Sequence, residues 1–421
     1  GARLSMMKGH NHPHATDRTG HTPLTGRSRS QARSLIVVSG DYGELALAVS
    51  LLRGQEFASR ARMLLPESLY SSNQNTLPVP ATPYATLSGI LNALDAHKPD
   101  LVFLLSGYLF AHERLLTPDS LDELVRRLGD QGCRVITSDP LLGLASRVTP
   151  SEIDIRILAS EKPRLSRWLI HFLHRRGQTA GILRIRSLER VIHLYPTSVP
   201  TTGRDDGVPR FSFFNPTITR SSTRAGGTQS GVGDSAIGPP RWLFVLSSTD
   251  FNRQRMLLGR RGFSRLVARI LARALHAGKH PVLIGPPSII NVLSVLSNAL
   301  SDAIELLPFC PFAEFETRLL DAEHAFFWDS FSFSVLLRVA NALPVFVFDR
   351  GHLARAIKPF YQVALSTHFG GWVPPFLDLG ARLEPHDLAD LAEKQNLAMR
   401  VILDRWRSSP TPDELVDRLL R

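Results

Sequence analysis

Residues 34–52 read SLIVVSGDYGELALAVSLL, and they predict a β-strand, a tight turn and an α-helix in direct succession. The run at 35–38 is short, apolar and rich in β-branched residues, which is typical of a buried strand. The glycines at 40 and 43 end that run, and apolar residues at helical spacing continue to Leu52. A strand that leads through a short turn into a helix is the unit of parallel α/β sheets.

The same alternation of strand and helix recurs along the chain. In the first half, strands are expected at 101–105 and 134–137, with a helix at 118–129 between them. In the second half, four strands are expected between residues 242 and 348, again separated by helices. Helices between parallel strands cover both faces of a sheet. We therefore predict an α/β fold with two Rossmann-like domains that face a cleft.

Changes in composition divide the chain into five predicted segments. A polar stretch rich in serine, threonine and glycine interrupts the alternation in the middle of the chain, as a linker does. The expected segments are a disordered basic tail (1–33), an N-terminal Rossmann-like domain (34–200), a linker with a flexible Ser/Gly-rich part (201–240), a C-terminal Rossmann-like domain (241–365) and closing helices (366–421).

Charge and cysteine content narrow the class of protein. Lys and Arg number 49 against 38 Asp and Glu, and the resulting net charge of +11 favours an anionic ligand. The two cysteines, Cys133 and Cys310, cannot form a disulfide framework, so a cytoplasmic location is expected. Residues 281–301 carry no charge, but Gly285 and the two prolines after it interrupt them. We expect no membrane partner and no nucleic-acid partner, and the oligomeric state stays open.

The candidate site follows from the predicted topology, because ligands of open parallel sheets bind outside the carboxyl ends of the strands. Tyrosines would supply amphipathic contact area there, and arginines would pair with a carboxylate or phosphate. The polar residues expected to bind ligand are Asp41, Tyr42, Glu44, Tyr108 and Asp139 in the first domain, and Arg253, Ser330, Ser332, Arg350 and His352 in the second.

Each group of candidates has a second, structural interpretation. The turn at 40–44 either approaches a ligand or is only a tight turn in which Asp41 caps the helix. The hydroxyls of Ser330 and Ser332 either bind an anion or cap the helix that follows them. Arg253 either meets an anionic ligand or pairs with a nearby acid. The arginine-rich segment 253–273 is interpreted as a solvated basic helix face, because few aromatic residues accompany it.

The order of a strand, the Ser-rich turn at 329–334, a helix and a Pro-Val-Phe-Val strand at 344–347 resembles the donor-binding half of GT-B glycosyltransferases. The plan of residues 34–421 resembles that family as architecture. The resemblance implies that Asp329, Ser330, Ser332 and Ser334 lie where the family holds the phosphates and ribose of a nucleotide.

Three features of that family are missing from the sequence. The paired glycines before the helix and the acid that grips the ribose are absent, and residues 40–44 replace the acceptor loop with its histidine base. Their joint absence favours a non-catalytic GT-B-like protein that holds a peptide or other anionic ligand in the cleft. Such a protein resembles the peptide-binding members of ribosomal-peptide pathways of the crocagin type, in natural-product biosynthesis.

The alternative is a divergent glycosyltransferase that uses a nucleotide-sugar donor, with Asp41 or Glu44 as the base. Whether the chain is an enzyme stays open at this point. No catalytic residue, metal or cofactor is assigned from the sequence.

Overall fold

The computed structural model describes residues 31–40, 42–112, 115–138, 168, 187–199, 207–216, 239–289, 298–348, 368–378, 380 and 382–421. Their strands form two sheets, one of seven strands and one of six, and every strand pair is parallel. Helices follow the strands in both halves. The prediction of two Rossmann-like α/β domains is confirmed.

The first sheet is built around the strand predicted at residues 35–38. Its central strands are continuous apolar runs because helices bury them on both faces. The strand order is β3-β2-β1-β4-β5-β6-β7. The strands are β1 (Ser34–Val38), β2 (Ala61–Pro66), β3 (Ala81–Tyr84), β4 (Leu101–Leu105), β5 (Arg134–Ser138), β6 (Ile192–Tyr195) and β7 (Arg210–Ser212).

Six helices accompany this sheet within the described ranges. Local signals fix the start of two of them, since Thr86 and Thr117 each accept a backbone N–H with the side chain. The helices are α1 (Tyr42–Leu51), α2 (Gln55–Arg60), α3 (Glu67–Asn73), α4 (Leu87–His97), α5 (Gly107–His112) and α6 (Pro118–Asp130).

The second sheet has the order β10-β9-β8-β11-β12-β13. Its strands are β8 (Arg241–Val245), β9 (His280–Gly285), β10 (Glu305–Pro308), β11 (His324–Phe327), β12 (Val345–Phe348) and β13 (Phe376–Leu377). Its helices are α7 (Ser248–His276), α8 (Asn298–Asp302), α9 (Phe312–Asp321), α10 (Phe333–Ala340), α11 (Pro385–Trp406) and α12 (Pro412–Leu420). Gly259, with φ of +70°, bends α7 into two helical segments.

Three expectations about the segment boundaries need correction. Strand β7 lies in the stretch expected to be a linker, and β13 lies in the stretch expected to be helical. Both strands are too short for a periodic sequence signal, and pairing with a longer neighbour creates them. Residues 31–33, assigned to the tail, belong to the fold, because the Arg33 N–H donates to Asp100 Oδ2 at 2.8 Å. Residues 1–30 and 221–238, expected to be disordered or flexible, lie outside the described residues.

The two domains share one apolar core. Helix α1 packs against α10, and a single cluster of buried side chains includes Ile36 and Leu47 from the first domain and Val335 and Leu336 from the second. Contiguous burial of this kind opposes independent movement of the two halves.

Helix α12 returns from the second domain to pack on α2. Gly54 precedes α2 and has no side chain with which to cap it. Asp413 supplies that cap from α12, since its Oδ1 accepts the Phe57 N–H at 2.8 Å. A Cβ at Gly54 would lie 2.7 Å from the same oxygen, so glycine permits the approach.

Among the residues that the structure describes, no helix combines the length and the apolar character needed to cross a bilayer.

Candidate functional site

The carboxyl ends of the strands in the two sheets meet where the domains join. Tyr42 begins α1 directly after β1, and Phe309 directly follows β10. Their ring centroids are 5.0 Å apart with the planes inclined by 39°. An end of the first sheet therefore touches an end of the second through two aromatic side chains, at contact distances favourable for ring pairs.

A second contact joins the domains at the same edge. Thr197 follows β6, and its Oγ1 lies 3.3 Å from Nδ1 of His368. Phe331, which follows β11, meets the His368 ring edge to face at 5.6 Å. Burial lowers the pKa of His368 to about 4, so this imidazole is neutral at physiological pH. We call the surface formed by Tyr42, Thr197, Phe309, Phe331 and His368 the strand-end interface.

Two hydroxyl side chains, those of Ser138 and Thr137, fix the loop between β4 and α5. Ser106 has φ of +47°, a left-handed conformation that a residue with a Cβ adopts only under constraint. Its N–H donates to Ser138 Oγ at 2.6 Å, and the N–H of Gly107 donates to Thr137 Oγ1 at 3.0 Å. These bonds hold the loop in place and thereby set the position of Tyr108, the next residue.

Tyr108 lies beside a buried histidine of β6. The Tyr108 hydroxyl is 3.4 Å from Nε2 of His193, whose Nδ1 lies 2.9 Å from the carbonyl oxygen of Val191. A carbonyl only accepts, so Nδ1 carries the proton and Nε2 accepts from the tyrosine. His193 is not among the residues predicted from the sequence, because no strand was predicted at β6. The alternation in Ile192–Tyr195 is the signal that could have revealed the strand.

At the start of α10, the polar groups bond to their own loop. Ser332 caps the helix by accepting the Ser334 N–H at 3.3 Å, and Asp329 Oδ1 accepts the Phe331 N–H at 2.9 Å. The side chain of Ser330 is fully buried. The capping interpretation of Ser332 therefore describes its observed contact.

Phe214 covers the start of the same helix. It follows β7 of the first sheet, and its ring meets the ring of Phe333, the first residue of α10, edge to face at 5.4 Å. Phe214 also contacts Trp406 at the end of α11, with centroids 5.5 Å apart. All three side chains are buried. An aromatic side chain of the first domain thus packs against the first turn of α10.

Arg253 pairs with an acid of its own helix. Its Nη1 lies 3.7 Å from Asp250 Oδ1, and both side chains are largely shielded from solvent. Asp250 is held in turn by Ser247, whose Oγ accepts the Asp250 N–H at 3.0 Å. Of the two interpretations of Arg253, the structure records the pairing with a nearby acid.

The other predicted residues divide into described and undescribed ones. Tyr42 and Tyr108 follow strands as expected, whereas Glu44 is buried within α1. Four candidates, Asp41, Asp139, Arg350 and His352, lie outside the described residues. In the described part of the chain, no three His, Cys, Asp or Glu side chains gather as metal ligands would.

The two cysteines are unreactive by environment. Burial raises the pKa of the Cys133 thiol to about 11 and also raises that of Cys310. Because the thiolate is the reactive form, neither group is activated as a nucleophile.

No protein-family model and no curated protein sequence matches the chain. Solved structures do match it over nearly its whole length. Os79 from O. sativa, in complex with UDP, is 12% identical, and the match covers 92% of this chain and 99% of that one with a TM-score of 0.52. Phytolacca americana UGT2, complexed with UDP-2fluoro-glucose and pterostilbene, is 14% identical, with 93% and 100% covered and a TM-score of 0.51.

CalG4, the calicheamicin glycosyltransferase, is 13% identical, with 92% and 97% covered and a TM-score of 0.49. At these identities the matches to Os79 and UGT2 show a shared fold, and the activity has to be argued from the site. Two parallel Rossmann-like sheets joined in this way give the chain the architecture of GT-B glycosyltransferases.

Proposed function

We propose that the chain is a GT-B-fold binding protein that takes a peptide or other anionic ligand at the carboxyl ends of its strands, beside Tyr42 and Tyr108, and transfers no sugar. The observation that carries this proposal is the packing of Phe214 on Phe333 at the first turn of α10. A helix start that receives a phosphate needs N–H groups open to the ligand. Here an aromatic side chain of the other domain lies against that turn.

The polar groups at the start of α10 support the same conclusion. The Ser332 hydroxyl accepts the Ser334 N–H, which is therefore engaged in a cap. The Asp329 carboxylate stands just before the helix and accepts the Phe331 N–H. A carboxylate at this position already compensates the positive end of the helix dipole, and it would repel a diphosphate.

The close packing of the domains also argues against a transferase cycle. Helix α10 is buried along its whole length, and α1 lies directly against it. Domain closure over a donor and acceptor needs two bodies that can move apart. A shared apolar core makes such opening unfavourable.

Aromatic and neutral polar side chains supply the recognition chemistry on the first-domain side. Tyr42 and Tyr108 offer apolar rings with a hydroxyl, which suit a peptide carrying both apolar and polar groups. His193 orients the hydroxyl of Tyr108. The net charge of +11 favours an anionic ligand over a cationic one.

Isothermal titration tests the proposal directly. We expect no saturable binding of UDP or UDP-glucose, and saturable binding of acidic peptides that contain aromatic residues. Peptides in which lysine replaces each glutamate are the matched control for charge. Tight UDP binding by the unaltered protein would overturn the proposal. If no acidic peptide binds, acidic peptides are excluded as the ligand class.

A divergent glycosyltransferase is the second candidate, and two observations favour it. The matched structures of Os79 and UGT2 hold UDP and UDP-2fluoro-glucose. His193 presents Nε2 as a hydrogen-bond acceptor, which is the property of a general base. Release of UDP from UDP-glucose in the presence of hydroxyl acceptors, abolished in His193→Ala, would favour this candidate. We expect no release.

A further inference from the structure

The second segment of α7 carries a row of exposed arginines. We define the arginine row as Arg260, Arg261, Arg265 and Arg269, all of which are exposed. Three of them recur at every fourth position, so they follow one helix face at about 6 Å intervals. The opposite face of the segment, including Val267 and Leu271, is buried in the core of the second domain.

Within the part of the chain that the structure describes, no carboxylate neutralises this row. Residues 251–301 contain neither Asp nor Glu, and none of the ion pairs between described residues involves an arginine of the row. Some exposed arginines elsewhere are paired, as Arg126 is with Glu123 and Asp130. Like charges four residues apart on a helix repel one another. An anionic surface laid along the row would relieve that repulsion.

An exposed apolar side chain precedes the row in the sequence, before the bend of α7. Met256 is 42% exposed, and Leu257 and Leu258 after it are half-buried. A Cβ placed on Gly259 would meet nothing within 4 Å, so the bend lies at open surface. Exposed apolar side chains beside arginines are the two components of a membrane-surface anchor.

We infer that the arginine row and Met256 form a docking surface for an anionic lipid bilayer, which the protein contacts without inserting a helix through it. A bilayer fits better than a single-stranded nucleic acid, because the aromatic side chains of this segment, Phe251 and Phe263, are buried and offer no ring to bases. The inference departs from the expectation of no membrane partner, which rested on the lack of a spanning segment. It does not depend on the proposed function.

Co-sedimentation with vesicles tests the inference on the full chain. The protein should pellet with vesicles that contain phosphatidylserine and stay in solution with phosphatidylcholine alone. High salt should release it, since exposed charges are screened within about 3 Å at 1 M ionic strength. The triple variant Arg261→Glu, Arg265→Glu, Arg269→Glu should bind at least about tenfold more weakly. Each arginine near an anionic surface strengthens membrane binding, and the variant reverses three of these charges.

A matched control separates the row from net charge. Lys394→Glu, Arg400→Glu, Arg418→Glu changes the net charge equally at exposed positions elsewhere, and it should keep vesicle binding. Equal loss in both variants would overturn the inference, as would failure of the unaltered protein to pellet with phosphatidylserine.

A second variant guards against misfolding. Met256→Asp leaves the row intact and should also weaken vesicle binding, while circular dichroism and the melting temperature confirm the fold. The protein could instead bind a single-stranded oligonucleotide and fail to bind phosphatidylserine vesicles. That result would assign the row to nucleic acid and overturn the lipid proposal. Vesicle binding unchanged by both Met256→Asp and the reversal of the row would also overturn it.

Discussion

The side-chain oxygen of Asn73 accepts a 2.7 Å hydrogen bond from the Phe312 N–H, and so links the end of α3 in the first domain to the start of α9 in the second. Asn73 is buried, and its Nδ2 donates to the Leu69 carbonyl of its own helix at 2.9 Å. One amide thus satisfies backbone groups of both domains, next to the ion pair of Arg53 with Glu316.

Substituting Asn73→Ala should destabilise the whole chain by about 1–3 kcal/mol, because it leaves the buried Phe312 N–H without its acceptor. Urea unfolding followed by tryptophan fluorescence and by circular dichroism gives the free energy. Both probes should still report one transition, as a shared core requires. The neighbouring exposed Ser72→Ala is the control and should change stability by less than about 0.5 kcal/mol. Separate transitions for the two probes would contradict the shared core.

Substitution of Arg338 should cause a larger loss of stability than Asn73→Ala. Its guanidinium is fully buried and donates to the carbonyl oxygens of Leu319, Ala322, Glu323 and Pro344. Burial lowers its pKa to about 9. Arg338→Met keeps the volume and removes every donor, and it should destabilise by about 3 kcal/mol or more.

The control for Arg338 is Arg318→Met, which removes a half-exposed arginine paired with Glu305 and Glu314. Surface pairs of this kind contribute about 0–1 kcal/mol. Thermal and urea unfolding of both variants make the comparison. A loss for Arg338→Met no larger than that for Arg318→Met would show that the carbonyls find other donors.

The buried His368 predicts a dependence of stability on pH. Its pKa is about 4 in the folded chain, against 6.5 for a free histidine. As the pH falls from 6.5 to 4, the unfolded chain takes up a proton that the folded one does not, so stability is lost across this window. The loss approaches about 3 kcal/mol.

His368→Gln should flatten that part of the profile, measured as the urea midpoint between pH 7 and pH 4. The exposed His386→Gln should leave the profile unchanged. An unaltered slope in His368→Gln would mean that other groups carry the pH dependence.

Substitution by alanine should have opposite effects on stability at two glycines. A Cβ at Gly107 would lie 2.8 Å from Thr137 Oγ1 and 2.9 Å from a Leu188 methyl, so Gly107→Ala should destabilise by about 1–3 kcal/mol. It should also displace Tyr108 and weaken the proposed peptide binding. Nothing lies within 4 Å of a Cβ at Gly129 in α6, and Gly129→Ala should stabilise by about 0.4–1 kcal/mol. Melting temperatures that move in the same direction for both variants would contradict this.

The hydrophobic pattern of the sequence predicted those strands and helices that depend only on neighbouring residues. The apolar runs of β1 and β4 and the capped start of α6 at Thr117 need no information from distant residues. The edge strand β3, with Pro83 within it, becomes a strand only through its pairing with β2. Strand β7 likewise depends on β6.

The candidate site was predictable only in part. The position of Tyr42 after β1 is a property of local sequence, but its partner Phe309 is set by how two sheets pack. Neither side of the contact between His368 and Thr197, which lie 171 positions apart, was predicted. The pairing of Arg253 with Asp250 could be predicted from the sequence, since they lie three positions apart on one helix.

The cap that Asp413 provides for α2 has a consequence for how the protein is made. The donor at Phe57 and its acceptor are 356 positions apart, so at bacterial or eukaryotic translation rates of about 5–20 residues per second the cap is synthesised tens of seconds after the helix it completes. During that interval the first sheet is outside the ribosome with the amino end of α2 and the buried face around Gly54 uncovered. In rapid dilution from denaturant, α12 is available from the start. The fraction of the protein that aggregates should therefore differ from the fraction that aggregates during synthesis on the ribosome.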